Sequence, residues 1–286
     1  MTKNKLVVGA HLSIAGGYEQ AIIKGEEIGC TALQIFTKSS RQWAAKPITS
    51  EQATLFKTTL DNSSCKIALA HASYLINIGT ADDELRHKSI VALQEELARC
   101  HTLGIPYLVL HPGTFTQSTI EESLHNASQA LTEVLTYDTG NTMILLENTA
   151  GQGSSLGSTF EQLAIIAKNI SPRSRIGFCF DTCHAFAAGY SFTTQEQYTK
   201  MWDNFDDLLG LQHLKAFHCN DSVKELGSKV DRHEHIGKGK IGIEAFALLM
   251  NDPRFFDIPK ILETPKSETD LKDDIMNITT LKNLLR

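Results

Sequence analysis

A chain of 286 residues with 42% hydrophobic content can bury a large core, and that length suits one domain best if the domain is a barrel. A formal charge of −6 argues mildly against a nucleic-acid partner, and no stretch is apolar enough for a signal peptide or a membrane span. The six cysteines (Cys30, Cys65, Cys100, Cys179, Cys183 and Cys219) form no CxxC pair, so the expectation is reduced thiols in a cytoplasmic protein. No linker, charge block or sequence repeat divides the chain, which predicts a single domain over residues 1–286.

In chain order, the predicted strands are short runs apolar on both faces, as buried parallel strands are. They fall at 5–11 (KLVVGAH), 32–36 (ALQIF), 66–71 (KIALAH), 106–113 (PYLVLHPG), 142–148 (TMILLEN), 175–181 (RIGFCFD), 213–220 (HLKAFHCN) and 259–264 (PKILET). Between them, Thr49-x-x-Gln52, Ser118-x-x-Glu121, Ser158-x-x-Glu161 and Thr194-x-x-Gln197 fit capping boxes that open helices. Leu163, Ile166, Ala167 and Ile170 then recur at helical spacing. Eight strands alternating with helices predict an α/β protein of the (β/α)8 TIM-barrel class. A doubly wound open sheet is the competing fold, but no Gly-rich phosphate fingerprint follows any strand.

The strands end in chemistry. His71, His111, Glu147, Asp181, His218 and Glu263 close six of them in turn, and His11 closes the first. In a parallel barrel the carboxyl ends of the strands form one face, so these groups converge there. A lone histidine at a strand end is more often structural than a ligand, but a whole ring has no comparably plain explanation. Buried imidazoles and carboxylates in such a ring are costly unless divalent cations neutralise them. His184 sits three residues past Asp181, on the first turn of the next helix, facing the same mouth. In the stretch 228–242 (SKVDRHEHIGKGKIG), Asp231 and His233 are two apart, so in extended backbone they point the same way. Alone they read as part of a polar, Gly-rich surface loop; with His184 they make a His/carboxylate set of the type zinc accepts.

The motifs HASYLINIG (71–79), LHPGTF (110–115), ENTAGQG (147–153), FDTCHAFAAGY (180–190), HCNDS (218–222), GSKVDRHEHIG (227–237) and ILETP (261–265) closely resemble those of the endonuclease IV family. With AHLSIAGG (10–17), the resemblance spans nearly the whole chain. It implies a zinc-dependent apurinic/apyrimidinic endonuclease of base excision repair, a hydrolase with its active site at the carboxyl end of a barrel. Three zinc ions per chain are implied: one on His71, His111 and Glu147, one on Glu147, Asp181, His218 and Glu263, and one on His184, Asp231 and His233. Manganese is expected to substitute at an exposed position. Glu147 is the expected catalytic residue, bridging two ions. The implied substrate is double-stranded DNA with abasic sites, cut 5′ of the lesion to leave a 3′-hydroxyl and a 5′-deoxyribose phosphate. Blocked 3′ ends are the second implied substrate. Arg41, Tyr74 and Leu75 are the implied groove-entering, DNA-binding residues, in a monomer without membrane contact. Nothing in composition or spacing alone names DNA.

Three Zn²⁺ would bring the formal charge of −6 to about zero, and Lys38, Arg41, Lys224, Lys229, Arg232, Lys238 and Lys240 are placed to meet phosphates or merely to solvate loops. His11 reads as a hydrogen-bond partner behind the ligands or as a core contact. Cys183 and Cys219 read as packing thiols. The glycines of GKGKIG suit a phosphate cradle or, better, a plain turn. Ala72 departs from the acidic residue that some members carry. Two other classes compete: a metal-dependent sugar isomerase or epimerase on a similar barrel, and a zinc-stabilised scaffold. The third donor set discriminates against the former; the latter would call for a closed, Cys-rich site.

Overall fold

The computed structural model describes residues 6–267 and 271–286. Its elements run β1 (Val8–Leu12), α1 (Tyr18–Glu27), β2 (Ala32–Phe36), α2 (Ser50–Asn62), β3 (Ile67–His71), α3 (Asp83–Leu103), β4 (Tyr107–Leu110) and α4 (Ile120–Tyr137). They continue with β5 (Met143–Glu147), α5 (Phe160–Lys168), β6 (Ile176–Asp181), α6 (Thr182–Ala188), α7 (Gln195–Leu209), β7 (Leu214–His218), β8 (Asp221–Ser222), β9 (His233–Glu234), α8 (Ile243–Met250), β10 (Lys260–Leu262) and α9 (Lys272–Asn283). The strands β1-β10-β7-β6-β5-β4-β3-β2 close into a barrel, each parallel to its neighbours. The expected (β/α)8 class is therefore the observed one, with Lys5, the predicted first residue of the first strand, outside the described residues. The antiparallel pair β8–β9 lies outside the predicted strands, because two residues per strand carry no periodicity.

Two helix starts shift by one residue. Thr49 and Thr194 form the expected capping boxes with Gln52 and Gln197. For α4 and α5, however, Thr119 and Thr159 are the caps in place of Ser118 and Ser158, accepting from the amides of Glu122 and Gln162. The sequences STIEE and STFEQ offer two overlapping cap frames, and local bonding chooses between them. Ser118 Oγ lies 2.6 Å from Ser123 Oγ, and Gln162 Oε1 accepts from the amides of Gly157 and Ser158.

Strand periodicity positions the site. Ala32, Leu69, Val109, Leu145, Cys179, Ala216 and Ile261 form one buried apolar cluster drawn from seven barrel strands, the plug of the barrel. Two residues further along each strand, on the same face, come Gln34, His71, His111, Glu147, Asp181, His218 and Glu263. The alternate residues, among them Leu33, Ala70, Leu110, Leu146, Phe180 and Phe217, face outward into the larger core under the helices. Gly9 occupies the same layer of β1 as the plug, and a Cβ there would stand 1.7 Å from Ala32 O, so only glycine lets the two strands pair.

Candidate metal centre and its rim

The polar ring above the plug is assembled by strand ends and two loop insertions. His71, Glu147, Asp181 and His218 end β3, β5, β6 and β7, while His111 and Glu263 follow β4 and β10 by one residue. Asp181 is also the N-cap of α6: Oδ1 accepts from His184 N at 2.7 Å, which turns the first helical turn over the barrel mouth. Its Oδ2 accepts from Asn220 Nδ2 at 2.7 Å, so both oxygens are aimed. Asp231 arrives on the loop between β8 and β9 and His233 opens β9, with Asp231 Oδ1 3.3 Å from His233 Nε2. That loop is pinned by Asp221, fully buried, whose carboxylate accepts from the amides of Ser222, Gly237, Gly239 and Ile241 at 2.8 to 3.1 Å. The amides of the GKGKIG turn thus do cradle an anion, but it is the protein's own.

All nine side chains expected at the centre come together there. Ligand atoms lie within 4.8 Å of one another in the groups His71–His111–Glu147, Glu147–Asp181–His218–Glu263 and His184–Asp231–His233. Glu147, with no solvent exposure, divides its oxygens: Oε2 is 3.2 Å from His71 Nε2 and 3.0 Å from His111 Nε2. Oε1 is 2.9 Å from His218 Nδ1 and 3.2 Å from His184 Nδ1. A further group joins Asp181, Cys183 and His233. Burial, reinforced by Asp181, pushes the Cys183 thiol up to about 12, and it donates to Arg232 O, so it packs as a thiol. Cys183 lies on α6 and Cys219 follows β7 by one residue; both are buried.

The hydrogen bonds set the ring tautomers. His71 Nδ1 donates to Ala72 O (2.8 Å), His184 Nδ1 to Asn148 O (3.0 Å), His233 Nδ1 to Glu263 O (3.0 Å), and His218 Nε2 to Gln34 Oε1 (2.8 Å). The other nitrogen of each ring turns its lone pair towards a carboxylate. Nε2 of His184 and of His233 are buried without a hydrogen-bond partner, although Asp231 oxygens lie 3.2 and 3.3 Å away. Lone pairs facing carboxylates require positive charge between them. The same demand appears in protonation. Burial alone would lower the His184 and His218 imidazoles, yet nearby anions, Asp181 foremost for His184, raise both well above the usual range. For His233 the Asp231 hydrogen bond outweighs burial and lifts it to about 9. Burial would raise Glu147, but His218 and His111 hold it well below the usual carboxylate range. Divalent cations would meet this demand with neutral rings, and mixed His/carboxylate donors suit zinc.

The ring includes residues that sequence reasoning passed over. Gln34, Asn148 and Asn220 are fully or nearly fully buried and bonded to the expected ligands. Gln34 is the one polar residue in ALQIF and shares its strand face with the plug, a signal that was present; Asn148 and Asn220 lie within quoted motifs. His11 Nδ1 is 3.3 Å from Glu263 Oε1, behind the ring rather than in it.

The rim carries the expected DNA-contact residues. Arg41 is exposed, Leu75 half-buried, and Tyr74 is 62% exposed while lying edge-on to Phe36 and tilted against His71. Ser73 Oγ donates to Ser40 O at 2.8 Å, tying the two loops together. Beneath them Arg99 of α3 donates to Thr37 O, Lys46 O and Tyr18 Oη, and Glu96 accepts from Thr37 Oγ1. Lys38 belongs to this anchor, a correction to its reading as a phosphate contact: it is buried, and its Nζ donates to Trp43 O beside Glu95 and Glu96. Lys224, Lys229, Arg232, Lys238 and Lys240 are exposed, with Lys240 paired to Glu225. A cavity of about 760 Å³, lined by His11, Phe36, Tyr74, His233, Glu263 and Lys266 among others, opens between the rim and the ring.

Fold and site together define a barrel of the class described as xylose isomerase-like TIM barrel, and that family model matches residues 23–281. The probable endonuclease 4 of Chloroflexus aurantiacus is 50% identical over 279 residues, covering 97% of this chain and 98% of that protein. That of Geobacter sulfurreducens is 48% identical, covering 98% and 94%. The crystal structure of endonuclease IV from Thermus thermophilus superimposes with a TM-score of 0.83 at 35% identity, covering 97% of this chain and 98% of that one. The chain belongs to the endonuclease IV family.

Proposed function

We propose that this protein is a DNA-repair endonuclease that hydrolyses the phosphodiester 5′ of an abasic site, leaving a 3′-hydroxyl and a 5′-deoxyribose phosphate, and that it also trims blocked 3′ ends. The observation that carries the reading is one buried carboxylate, Glu147, shared between donor groups at the end of a barrel in a chain half-identical to an endonuclease 4. His71, His111 and Glu147 would hold one zinc, Glu147, Asp181, His218 and Glu263 a second, and His184, Asp231 and His233 a third. Bound there, the ions supply Lewis-acid charge to the phosphate and lower the pKa of water. Glu147 sets the spacing of the donor groups, because its two oxygens face different histidines. Asn148 and Asn220 hold Asp181, and the buried walls keep bulk water from the inner groups. His111, 32% exposed, and Asp231, 43% exposed, mark the side open to substrate, where manganese would exchange most readily.

Arg41, Tyr74 and Leu75 would enter the groove beside the lesion, anchored through Ser73 and Arg99. The whole chain acts as one domain and as a cytoplasmic monomer; no described helix is long and apolar enough to cross a membrane. A sugar isomerase would need no third donor group and no groove loops, and a scaffold no ring open on one side.

A duplex with a single defined abasic site, incubated with protein of measured metal content, should be nicked once, 5′ of the lesion, by protein holding close to three zincs per chain. Well-occupied protein with a single metal and no incision would sink the reading. Arg41→Ala and Tyr74→Ala should weaken abasic-duplex binding with zinc content intact, and Arg41→Ala should lower the salt dependence by about one phosphate contact. Parental binding by both variants would remove these loops from the DNA interface.

A further inference from the structure

We infer that Gln34 is a positioning residue that selects the tautomer of His218 and orients Glu263, so that the inner donor group is set for a metal before one arrives. The inference rests on the reading of Glu147, Asp181, His218 and Glu263 as a metal-holding group. Gln34 is fully buried on β2, in the layer of the ring, yet belongs to none of the donor groups. Its carboxamide is used at both ends: Oε1 accepts from His218 Nε2 at 2.8 Å, and Nε2 donates to Glu263 Oε1 at 2.7 Å. The amide cannot be reversed, because its oxygen would then face the Glu263 carboxylate, acceptor against acceptor. With the oxygen on His218, the ring proton must sit on Nε2. Nδ1 is thereby the nitrogen left for a metal to claim, 2.9 Å from Glu147 Oε1 and 3.2 Å from Glu263 Oε2. The second bond takes up Glu263 Oε1 and leaves Oε2 turned inward.

The remaining histidines that face the ring with a fixed tautomer, His71, His184 and His233, rely on backbone carbonyls. His218 relies on a side chain, so this tautomer can be altered by substitution. Gln34→Leu keeps the approximate volume and removes both bonds, together with the contact of Gln34 Nε2 with His11 Nδ1 at 3.0 Å. His218 then has no acceptor for an Nε2 proton, and its Nδ1–H form, which blocks ligation, gains population. Gln34→Glu keeps an acceptor for His218 but sets a carboxylate against Glu263.

The test is zinc titration of metal-free protein against a competing chelator, with imidazole ¹⁵N chemical shifts read on the same samples. Zinc-loaded parent protein should show His218 protonated at Nε2 and unprotonated at Nδ1. Gln34→Leu should weaken one zinc-binding step by about 10- to 100-fold, the range found when an outer hydrogen-bond partner of a ligand is lost, and leave the other steps unchanged. Gln34→Glu should retain the Nε2–H signature while also weakening that step. Parental zinc affinities in both variants, or an Nδ1–H tautomer of His218 in the parent, would overturn the inference. A parent that binds no zinc at a His218-dependent step, judged against His218→Ala, would instead overturn the metal reading on which it rests. If Gln34→Leu does not fold, the parental tautomer and the Gln34→Glu titration still decide.

Discussion

Replacing Glu147 with glutamine is expected to lower incision of abasic duplex by about three orders of magnitude or more while weakening DNA binding far less. The side chain has no exposure, and its oxygens are within 3.2 Å of four imidazoles, two on each side. Glutamine preserves the shape but turns one oxygen into an amide donor and removes the charge that two donor groups share. The side that receives the amide nitrogen would face imidazole with no carboxylate, so the ring could no longer place two cations at a fixed separation. DNA binding should survive because Arg41, Tyr74 and Leu75 lie on separately anchored loops. Single-turnover incision and equilibrium binding, compared at matched zinc occupancy, check the result. Near-parental incision with all metals bound would refute the role given to Glu147.

Asp221→Ala is expected to disable the centre from outside it. This carboxylate holds the amides of Ser222, Gly237, Gly239 and Ile241, and so fixes both ends of the segment that carries Asp231 and His233. Charge-assisted bonds of this kind are stronger than neutral ones, and nothing else among the described residues is bonded to the amides of Gly237, Gly239 and Ile241. Losing the anchor should free the loop, lower zinc content by the ion assigned to His184, Asp231 and His233, and cost about 10²-fold in incision through misplacement of that group. Hydrogen exchange should accelerate at those amides and stay slow in the barrel strands. Retention of full zinc content and of slow exchange in the loop would show that Asp221 does not position the group.

Much of this architecture was legible because barrel strands announce themselves locally. A run such as MILLE or IALAH, apolar on both faces and closed by a charged or imidazole side chain, says that it is buried and which end is polar. Parallel order then makes the ends converge. Asp181 and His184 were readable as a pair because a helix begins between them. The family motifs supplied the grouping of the donors that no spacing could. Other features were not readable. STIEE and STFEQ each contain two valid cap frames, and only the bonds of Ser118, Gly157 and Ser158 decide between them. Lys38 looks like any basic loop residue until Glu95, Glu96 and the carbonyl of Trp43 are found around it.

From the sequence by itself came the strand and helix order, the closed parallel barrel and the ring of strand-end imidazoles and carboxylates, since each depends on patterns that repeat within about ten residues. Tertiary structure alone decided which oxygen of Glu147 meets which histidine, that Asp221 fills the glycine turn, and that Gln34 is bonded to His218. Those contacts join residues as far as 184 positions apart, and barrel closure places them in one layer through register, a property that no single strand carries.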